Sequence, residues 1–320
     1  FGTLAGSLDL PYAHSLQWNP ARPSVIAIGG LGGVKIVDAS RLSEGFLASI
    51  STGDEGVGCL AWSADGGLLA VGLPSRVEIW DPWRPALVAS ADAWRYPYAL
   101  AWSPDGSVLA SLTGYDYRFD QYDLPPELEG MRHFAKLQVW RIVPAPDGFA
   151  AMILLAHALV PRDADISLAG CLSWSPDSMG VAVGTGSVDF FSLVPVPSRL
   201  GALGFPDKPG VMVWFLGPGW ELVPEAYLEG PARWVSCVSW SLDGSRIVAG
   251  SNDGTIGVWV APKLPIVEGP KQSFAAILIA VGMFVKVVAS LFREGMARFS
   301  YGRDACQLSS KATSSPESHP

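Results

Sequence analysis

Cysteine is the residue type whose spacing in this sequence most suggests a chemical role. Three of the four cysteines, Cys59, Cys171 and Cys237, each stand three residues before a tryptophan. Two other small residues, Ser15 and Ala99, occupy the same position elsewhere. A position shared by Cys, Ser and Ala calls for a small side chain, and a thiol can fill that packing role. We therefore expect structural cysteines in a reducing compartment, the cytosol or the nucleus.

Metal, disulfide and catalytic chemistry find little support in the residue spacing. No CxxC occurs, and cysteines from separate repeats are expected to lie too far apart to share a metal or a disulfide. Asp116, Asp120 and Asp123 lack the oxygen spacing of a calcium loop. No pair at ligand or general-base spacing is formed by the four histidines: His14, His133, His157 and His319. Because GxSxG, HExxH and GxxxxGK[ST] are also missing, we predict no cofactor, no metal, no small-molecule substrate and no enzyme activity.

The elements that position these residues come from a motif that occurs five times. In each copy a short apolar strand ends in Trp, a polar turn follows, and a second apolar strand ends at Gly or Ser. The copies are Ser15–Gly30, Cys59–Gly72, Ala99–Ser111, Cys171–Gly184 and Cys237–Gly250. A third strand comes later in four of them: Val77–Asp81, Leu137–Arg141, Val211–Phe215 and Ile256–Val260.

The turns and strands of the motif predict hairpins stacked in a radial array. The turns read SADG, SPDG, SPDS and SLDG, in which Pro favours a type I turn, Asp bonds nearby backbone and Gly accepts positive φ. The strands are almost continuous apolar runs, so both faces of each sheet should be buried. Fourth, outer strands are predicted at Phe46–Ile50, Ala86–Ser90, Phe149–Ala156 and Trp220–Leu228. Radially stacked sheets satisfy this pattern, because each covers its neighbour.

The repeated SPDG turn, followed by an apolar strand and a strand ending in Trp-Asp, resembles the WD-repeat β-propeller family. The resemblance covers about residues 15–262 and implies an all-β propeller with five recognisable blades. We expect them to belong to a seven-bladed ring with two blades preceding Phe1, and a small ring is the alternative. Only Trp80–Asp81 keeps the dipeptide, and the Gly-His before the first strand is missing. Without the family's His–Asp network, the blades should depend more on apolar packing.

Two blades carry long insertions between their second and third strands, at residues 113–136 and 185–209. Corresponding loops of a propeller emerge on one face, so the insertions should be neighbours, and long loops are often functional. The alternative is a loop that packs its aromatics on its own blade. Aromatic and arginine residues are enriched at binding hot spots. The predicted partner-binding residues on this face are Trp94, Arg95, Tyr96, Tyr115, Tyr117, Arg118, Phe119, Tyr122, Arg233 and Trp234.

The repeated strand motif ends near Pro262, and a different sequence pattern follows. Ser273–Phe292 is an apolar run broken only by Lys286 and is near the length that spans a bilayer. A membrane-associated helix, a helix packed on the propeller and the strands of a further blade all remain open. We predict a propeller over 1–262, an apolar helical segment over 263–304 and a disordered, Ser/Pro-rich tail over 305–320.

Composition and charge argue against one class of function, nucleic-acid binding. A net charge of −8 without a basic stripe argues against nucleic-acid binding. We therefore predict a scaffold that binds other proteins in a complex, with a diffuse likeness to a nuclear-pore propeller. The alternative is a membrane-anchored propeller that regulates a small GTPase in vesicle traffic. No signal peptide is recognised, and the absence of an initial Met suggests a fragment. The expected location is the cytoplasm or nucleus, including the nuclear envelope or endoplasmic-reticulum membrane.

Overall fold

Five antiparallel sheets follow one another in the part of the chain that the structure describes, and we call them blades 1 to 5. The computed structural model describes residues 7–8, 10, 12–93, 96–114, 134–144, 150–161, 171–185, 209–231 and 235–263. All of them lie in Phe1–Ile266, the first of the two units into which the chain divides. The predicted boundary at residue 262, the apolar helix and the tail therefore stay predictions.

Each blade pairs strands that are consecutive in the chain. Blade 1 contains β1 (Ser15–Trp18), β2 (Val25–Asp38) and β3 (Phe46–Gly56). Blade 2 contains β4 (Cys59–Trp62), β5 (Leu69–Leu73), β6 (Arg76–Asp81) and β7 (Ala86–Asp92). Blade 3 contains β8 (Tyr96–Trp102), β9 (Leu109–Gly114), β10 (Phe134–Pro144) and β11 (Ala150–Pro161). Blade 4 contains β12 (Leu172–Trp174), β13 (Gly180–Gly184), β14 (Gly210–Leu216) and β15 (Leu222–Glu229), and blade 5 contains β16 (Val235–Trp240), β17 (Arg246–Ser251) and β18 (Ile256–Val260).

These strands confirm the predicted all-β repeat, including the four outer strands β3, β7, β11 and β15. In blade 1 the second and third strands of the motif are continuous as β2, which folds back on itself. Its first part pairs with β1 and its second part with β3. Gly32 and Gly33 have φ of +81° and +136°, a region that favours glycine. Beyond the two ends of β2, the Ala39 N–H donates to the Ser24 carbonyl oxygen at 2.7 Å.

The polar turns adopt the geometry that their residues predict. In each turn the Ser hydroxyl donates to the Asp two residues on, as Ser103 does to Asp105 at 2.6 Å. The same carboxylate accepts the N–H of Ser107 at 3.0 Å. The last turn position has φ of +66°, +71° and +72° at Gly66, Gly106 and Gly244. Ser178 takes this position in blade 4 at +63°, so among these four turns it is the one non-glycine residue in the left-handed conformation.

Apolar side chains bury the faces between neighbouring blades. We call the face of a blade that packs on the next blade its leading face, and the opposite face its trailing face. The leading face of blade 2, with Ala61, Ala70 and Ile79, packs on the trailing face of blade 3, with Leu100 and Leu109. Equivalent residues join blades 1 and 2, blades 3 and 4, and blades 4 and 5. The core is thus a series of interfaces in which one leading face meets one trailing face.

Hydrogen bonds from the motif tryptophans supplement this packing. The indole N–H of Trp62 donates to the Gln17 carbonyl oxygen at 3.2 Å, and that of Trp174 to the Ala101 carbonyl oxygen at 2.9 Å. In blade 5 the Trp240 indole instead donates within its own blade, to Gly244 at 3.2 Å. There the Trp240 backbone N–H donates to the Ser173 hydroxyl at 3.0 Å. The blades therefore do not depend on apolar packing alone.

Candidate interaction surface

The two insertions start from the same end of neighbouring blades, which we call the insertion end. At the other end of these blades, the Trp174–Ala101 hydrogen bond joins the ends of their first strands, β12 and β8, so the two strands run side by side in the same direction. Strand pairing continues to Gly114 and Ala135 in blade 3 and to Gly184 and Val211 in blade 4. Residues 113–114, 134–136, 185 and 209 of the predicted insertions thus belong to the described framework, and 115–133 and 186–208 lie outside the described residues.

The base of the blade 3 insertion is closed by a buried polar group. Thr113 is fully buried, and its hydroxyl donates to Gln138 Oε1 at 3.1 Å. Two residues further from the insertion on each strand, the Trp140 indole N–H donates to the Ser111 hydroxyl at 2.8 Å. Buried polar groups that find partners hold a unique arrangement. The two strands that lead into the insertion are therefore held at a fixed separation.

The base of the blade 4 insertion is closed in a different way. The Thr185 hydroxyl donates to the Gly210 carbonyl oxygen at 3.1 Å and accepts the Gly210 N–H at 3.0 Å. Tyr227 lies against Gly210, where a Cβ would meet the Tyr227 ring at 2.7 Å. Burial raises the pKa of Tyr227 to about 12, so its phenol stays neutral. Glycine is needed at 210 because a Cβ there would lie 2.5 Å from the Leu228 carbonyl oxygen as well as against the tyrosine ring.

Tyr96 is the one predicted partner-binding residue among the described residues. It begins β8 at the insertion end and is half-buried. Its ring lies against Gly58 of blade 2, where a Cβ would be 2.8 Å from the Tyr96 hydroxyl oxygen. The Tyr98 ring is tilted towards it at a centroid distance of 5.9 Å. The remaining predicted residues lie outside the described residues and stay predictions: Trp94, Arg95, Tyr115, Tyr117, Arg118, Phe119, Tyr122, Arg233 and Trp234.

A charged network at the insertion end joins blades 1 and 2. Arg76 Nη1 donates to Glu55 Oε1 at 2.8 Å, Arg76 Nη2 donates to the other Glu55 oxygen, and Arg76 Nε donates to Glu78 Oε1 at 2.8 Å. The Trp80 indole N–H donates to Glu78 Oε2 at 2.9 Å. The hydrogen bonds from Arg76 hold the pKa of Glu55 below its usual value. This network was not predicted from the sequence, although the alternation Arg76, Glu78, Trp80 puts all three side chains on one face of β6.

The motif cysteines fill the structural role that the sequence indicates. A Cβ on Gly72, Gly184 or Gly250 would lie within 3.0 Å of the thiol sulfur of the paired cysteine, so each Cys needs a glycine opposite. Cys59 Sγ donates to the Pro97 carbonyl oxygen in the next blade at 3.4 Å. Burial raises the pKa of Cys59 and brings that of Cys171 to about 12, which keeps both thiols protonated.

The described residues also bear on metal binding and on membrane spanning. Among these residues, no three His, Cys, Asp or Glu side chains converge where a metal ion could bind. In the same part of the chain, no helix is long and apolar enough to cross a membrane. Ser273–Phe292 lies outside it.

Consecutive antiparallel sheets that pack face to face define a repeat protein of the β-propeller class. Residues 46–81 and 222–260 match the family described as WD domain, G-beta repeat, and these two matches support a WD-repeat fold for the chain. Each matched segment joins the outer strand of one blade to the first three strands of the next, β3–β6 and β15–β18. No curated protein matches the chain. WD repeats generally mediate protein–protein interaction, and proteins built from them are typically non-catalytic.

Proposed function

We propose that this chain is a non-catalytic scaffold that binds other proteins through its insertion end. The observation that carries the proposal is the pair of closed insertion bases, Thr113–Gln138 and Thr185–Gly210, on neighbouring blades. Rigid bases let two long loops present contact residues at a small entropic cost to binding. Tyr96 lies at the same end and directly follows Trp94 and Arg95 in the sequence.

The proposal is tested by removing aromatic side chains from the first insertion. A variant with Tyr115, Tyr117, Phe119 and Tyr122 changed to Ser should lose the proteins that the parent chain captures from an extract of its source cells. Captured proteins are quantified by mass spectrometry. The melting temperature should not change, because the described pairing of β9 with β10 extends to Gly114 and Ala135 without these residues.

A matched control changes exposed apolar residues at the opposite end of the blades to Ser. Phe46, Leu47 and Leu242 are 46%, 54% and 97% exposed. This control should capture the same proteins as the parent. Undiminished capture by the insertion variant, or equal loss in both variants, would contradict binding through the insertion end.

We propose further that the protein assembly to which this scaffold belongs lies at the nuclear envelope. The support is the diffuse likeness to the nuclear-pore propeller aladin, which shares SPDG turns, degenerate Trp-Asp positions and a long insertion within a blade. Fluorescence microscopy of the tagged chain should show a nuclear rim. A uniform cytosolic distribution would contradict the assignment.

The membrane-anchored GTPase regulator remains the competing function, and the apolar run Ser273–Phe292 is its support. Carbonate extraction of membranes separates the two. Release of the full chain into the soluble fraction is expected of the scaffold, whereas retention in the pellet would favour the anchored alternative.

A further inference from the structure

An arginine–tryptophan stack joins blades 3 and 4 at the end opposite the insertion end, which we call the turn end. Cζ of the Arg141 guanidinium, on β10, lies 3.9 Å from the centroid of the Trp220 ring, in the turn between β14 and β15. Both side chains are half-buried. Arg141 follows Trp140, at the position that Asp81 holds after Trp80 in blade 2. Blade 3 thus has a cation where blade 2 has an acid.

The Trp220 ring is held in place by an unusual backbone conformation. Its φ is +65°, in the left-handed region that bulky residues rarely adopt. The Trp220 N–H donates to the Gly217 carbonyl oxygen at 2.9 Å, and the Gly217 N–H donates to the Glu221 carbonyl oxygen at 2.9 Å. The ring packs against the core between blades 3 and 4. Because such strain persists only where the surroundings impose it, the indole presents a fixed surface to Arg141.

Arg141 has no counterion in the part of the chain that the structure describes. Arg76, the other half-buried arginine there, has two carboxylates as partners, Glu55 and Glu78. No described carboxylate forms an ion pair with Arg141, and no described group accepts a hydrogen bond from its guanidinium. Burial lowers the pKa of Arg141, and no neighbouring acid opposes that effect. Withdrawing a charge from water costs free energy unless a partner replaces the water, so an anionic partner would relieve this cost.

The guanidinium keeps its hydrogen-bond donors available. Glu221 follows Trp220 in the chain, but its carboxylate lies over its own turn, where a Cβ on Gly217 or Gly219 would meet it. The five N–H donors of an arginine lie in the plane of the group. An aromatic ring stacked on one face of that plane leaves the edge free to bind a carboxylate through two parallel hydrogen bonds.

We propose that Arg141 and Trp220 form a binding position for an Asp or Glu side chain from an acidic segment of a partner protein. A carboxylate fits better than a phosphate, because phosphate groups are generally held by clusters of arginines. Among the described residues, no second cation affects the pKa of Arg141. The position lies at the turn end, so it does not depend on binding through the insertion end.

The test is a direct titration, because a contact with one arginine is too weak to be measured by capture from an extract. Fluorescence anisotropy follows binding of the labelled peptide Gly-Glu-Asp-Glu-Gly to the full chain, and Gly-Gln-Asn-Gln-Gly is the uncharged counterpart. We expect the acidic peptide to bind about tenfold or more tightly than the uncharged one. Arg141→Gln should lose this difference. Arg141→Lys keeps the charge but lacks the planar fork and should bind about fivefold more weakly than the parent.

Arg22 provides the matched control. It stacks on Trp83 at 3.7 Å, at the turn end of blades 1 and 2, but its side chain is exposed to water. Arg22→Gln should therefore bind the acidic peptide as the parent does. Melting temperatures at the parent value verify that the variants are folded, and Arg141→Lys serves as the test if Arg141→Gln is not.

Four results would overturn the proposal. Equal binding of the two peptides would show that the site does not recognise carboxylates. Parent-level binding by Arg141→Gln would place any recognition elsewhere. Inorganic phosphate that displaces the peptide at a lower concentration than acetate does would assign the position to a phosphate-bearing ligand. Binding that appears only in Asp147→Asn would assign it to the chain's own loop 145–149, which lies outside the described residues.

Discussion

The indole N–H of Trp102 donates a hydrogen bond to the carbonyl oxygen of Ala61, 3.2 Å away in the neighbouring blade. Trp62 and Trp174 make the same contact with the blades that precede them. The motif tryptophan thus ends the first strand of its own blade and joins that strand to the first strand of the blade before. A repeated sequence therefore encodes the interface between repeats as well as the repeat itself.

Trp102→Phe should remove this hydrogen bond and keep an aromatic ring. We expect the free energy of unfolding to fall by about 1–2 kcal/mol, since the Ala61 carbonyl loses a partner at a partly buried interface. Urea denaturation measures the change. Leu242→Ala, in an exposed turn, serves as the control and should be neutral within about 0.5 kcal/mol.

Glu78→Ala should destabilise the protein more than Glu55→Ala. The Glu78 side chain is 10% exposed and accepts from both Arg76 and Trp80, whereas the Glu55 side chain is 36% exposed. We expect a loss of about 1–3 kcal/mol for Glu78→Ala and less than about 1 kcal/mol for Glu55→Ala. Equal losses in chemical denaturation would argue that Glu78 is not the centre of this network.

Gly72→Ala should strain the contact with Cys59. A Cβ at position 72 would lie 2.5 Å from the Cys59 sulfur, and overpacking of this kind costs about 1–3 kcal/mol. Cys59→Ala in the same chain should recover part of the loss. Blade 3 already shows this exchange, because Ala99 pairs there with the larger Leu112. A double variant no more stable than Gly72→Ala alone would reject the pairing.

Acid should weaken the polar turns. Hydrogen bonds from Ser241 and Ser245 lower the pKa of Asp243 to about 2, and the pKa of Asp65 is lowered by equivalent bonds. A carboxylate whose pKa is lower in the folded state stabilises the fold above its unfolded pKa, near 3.8, and this contribution is lost as the pH falls through the folded value. Urea midpoints should therefore decline between about pH 5 and pH 2. Asp65→Asn should show a shallower decline.

Local features of this fold were predictable from the sequence because they depend on neighbouring residues. The SxDG turns, the outer strands and the small residues before each Trp all follow from short patterns. The interblade partners of the Trp62, Trp102 and Trp174 indoles were not predictable, since their acceptors are backbone carbonyls 41 to 73 residues away. The Glu55–Arg76 pair was missed for the same reason, because it joins two blades. At the insertion end, the sequence indicated where the insertions begin. The hydrogen bonds by which Thr113 and Thr185 close their bases could not be predicted, because they depend on how the strands pair and pack.

The most direct test of the account replaces residues 115–134 with Asn-Gly, which leaves a two-residue turn between the paired Gly114 and Ala135 and suits a tight hairpin between β9 and β10. Because Gly114 and Ala135 are already paired, we expect the melting temperature to stay at the parent value and the captured proteins to be lost. Capture that persists at the parent level with an intact fold would contradict the claim that this chain binds its partners through the insertion end.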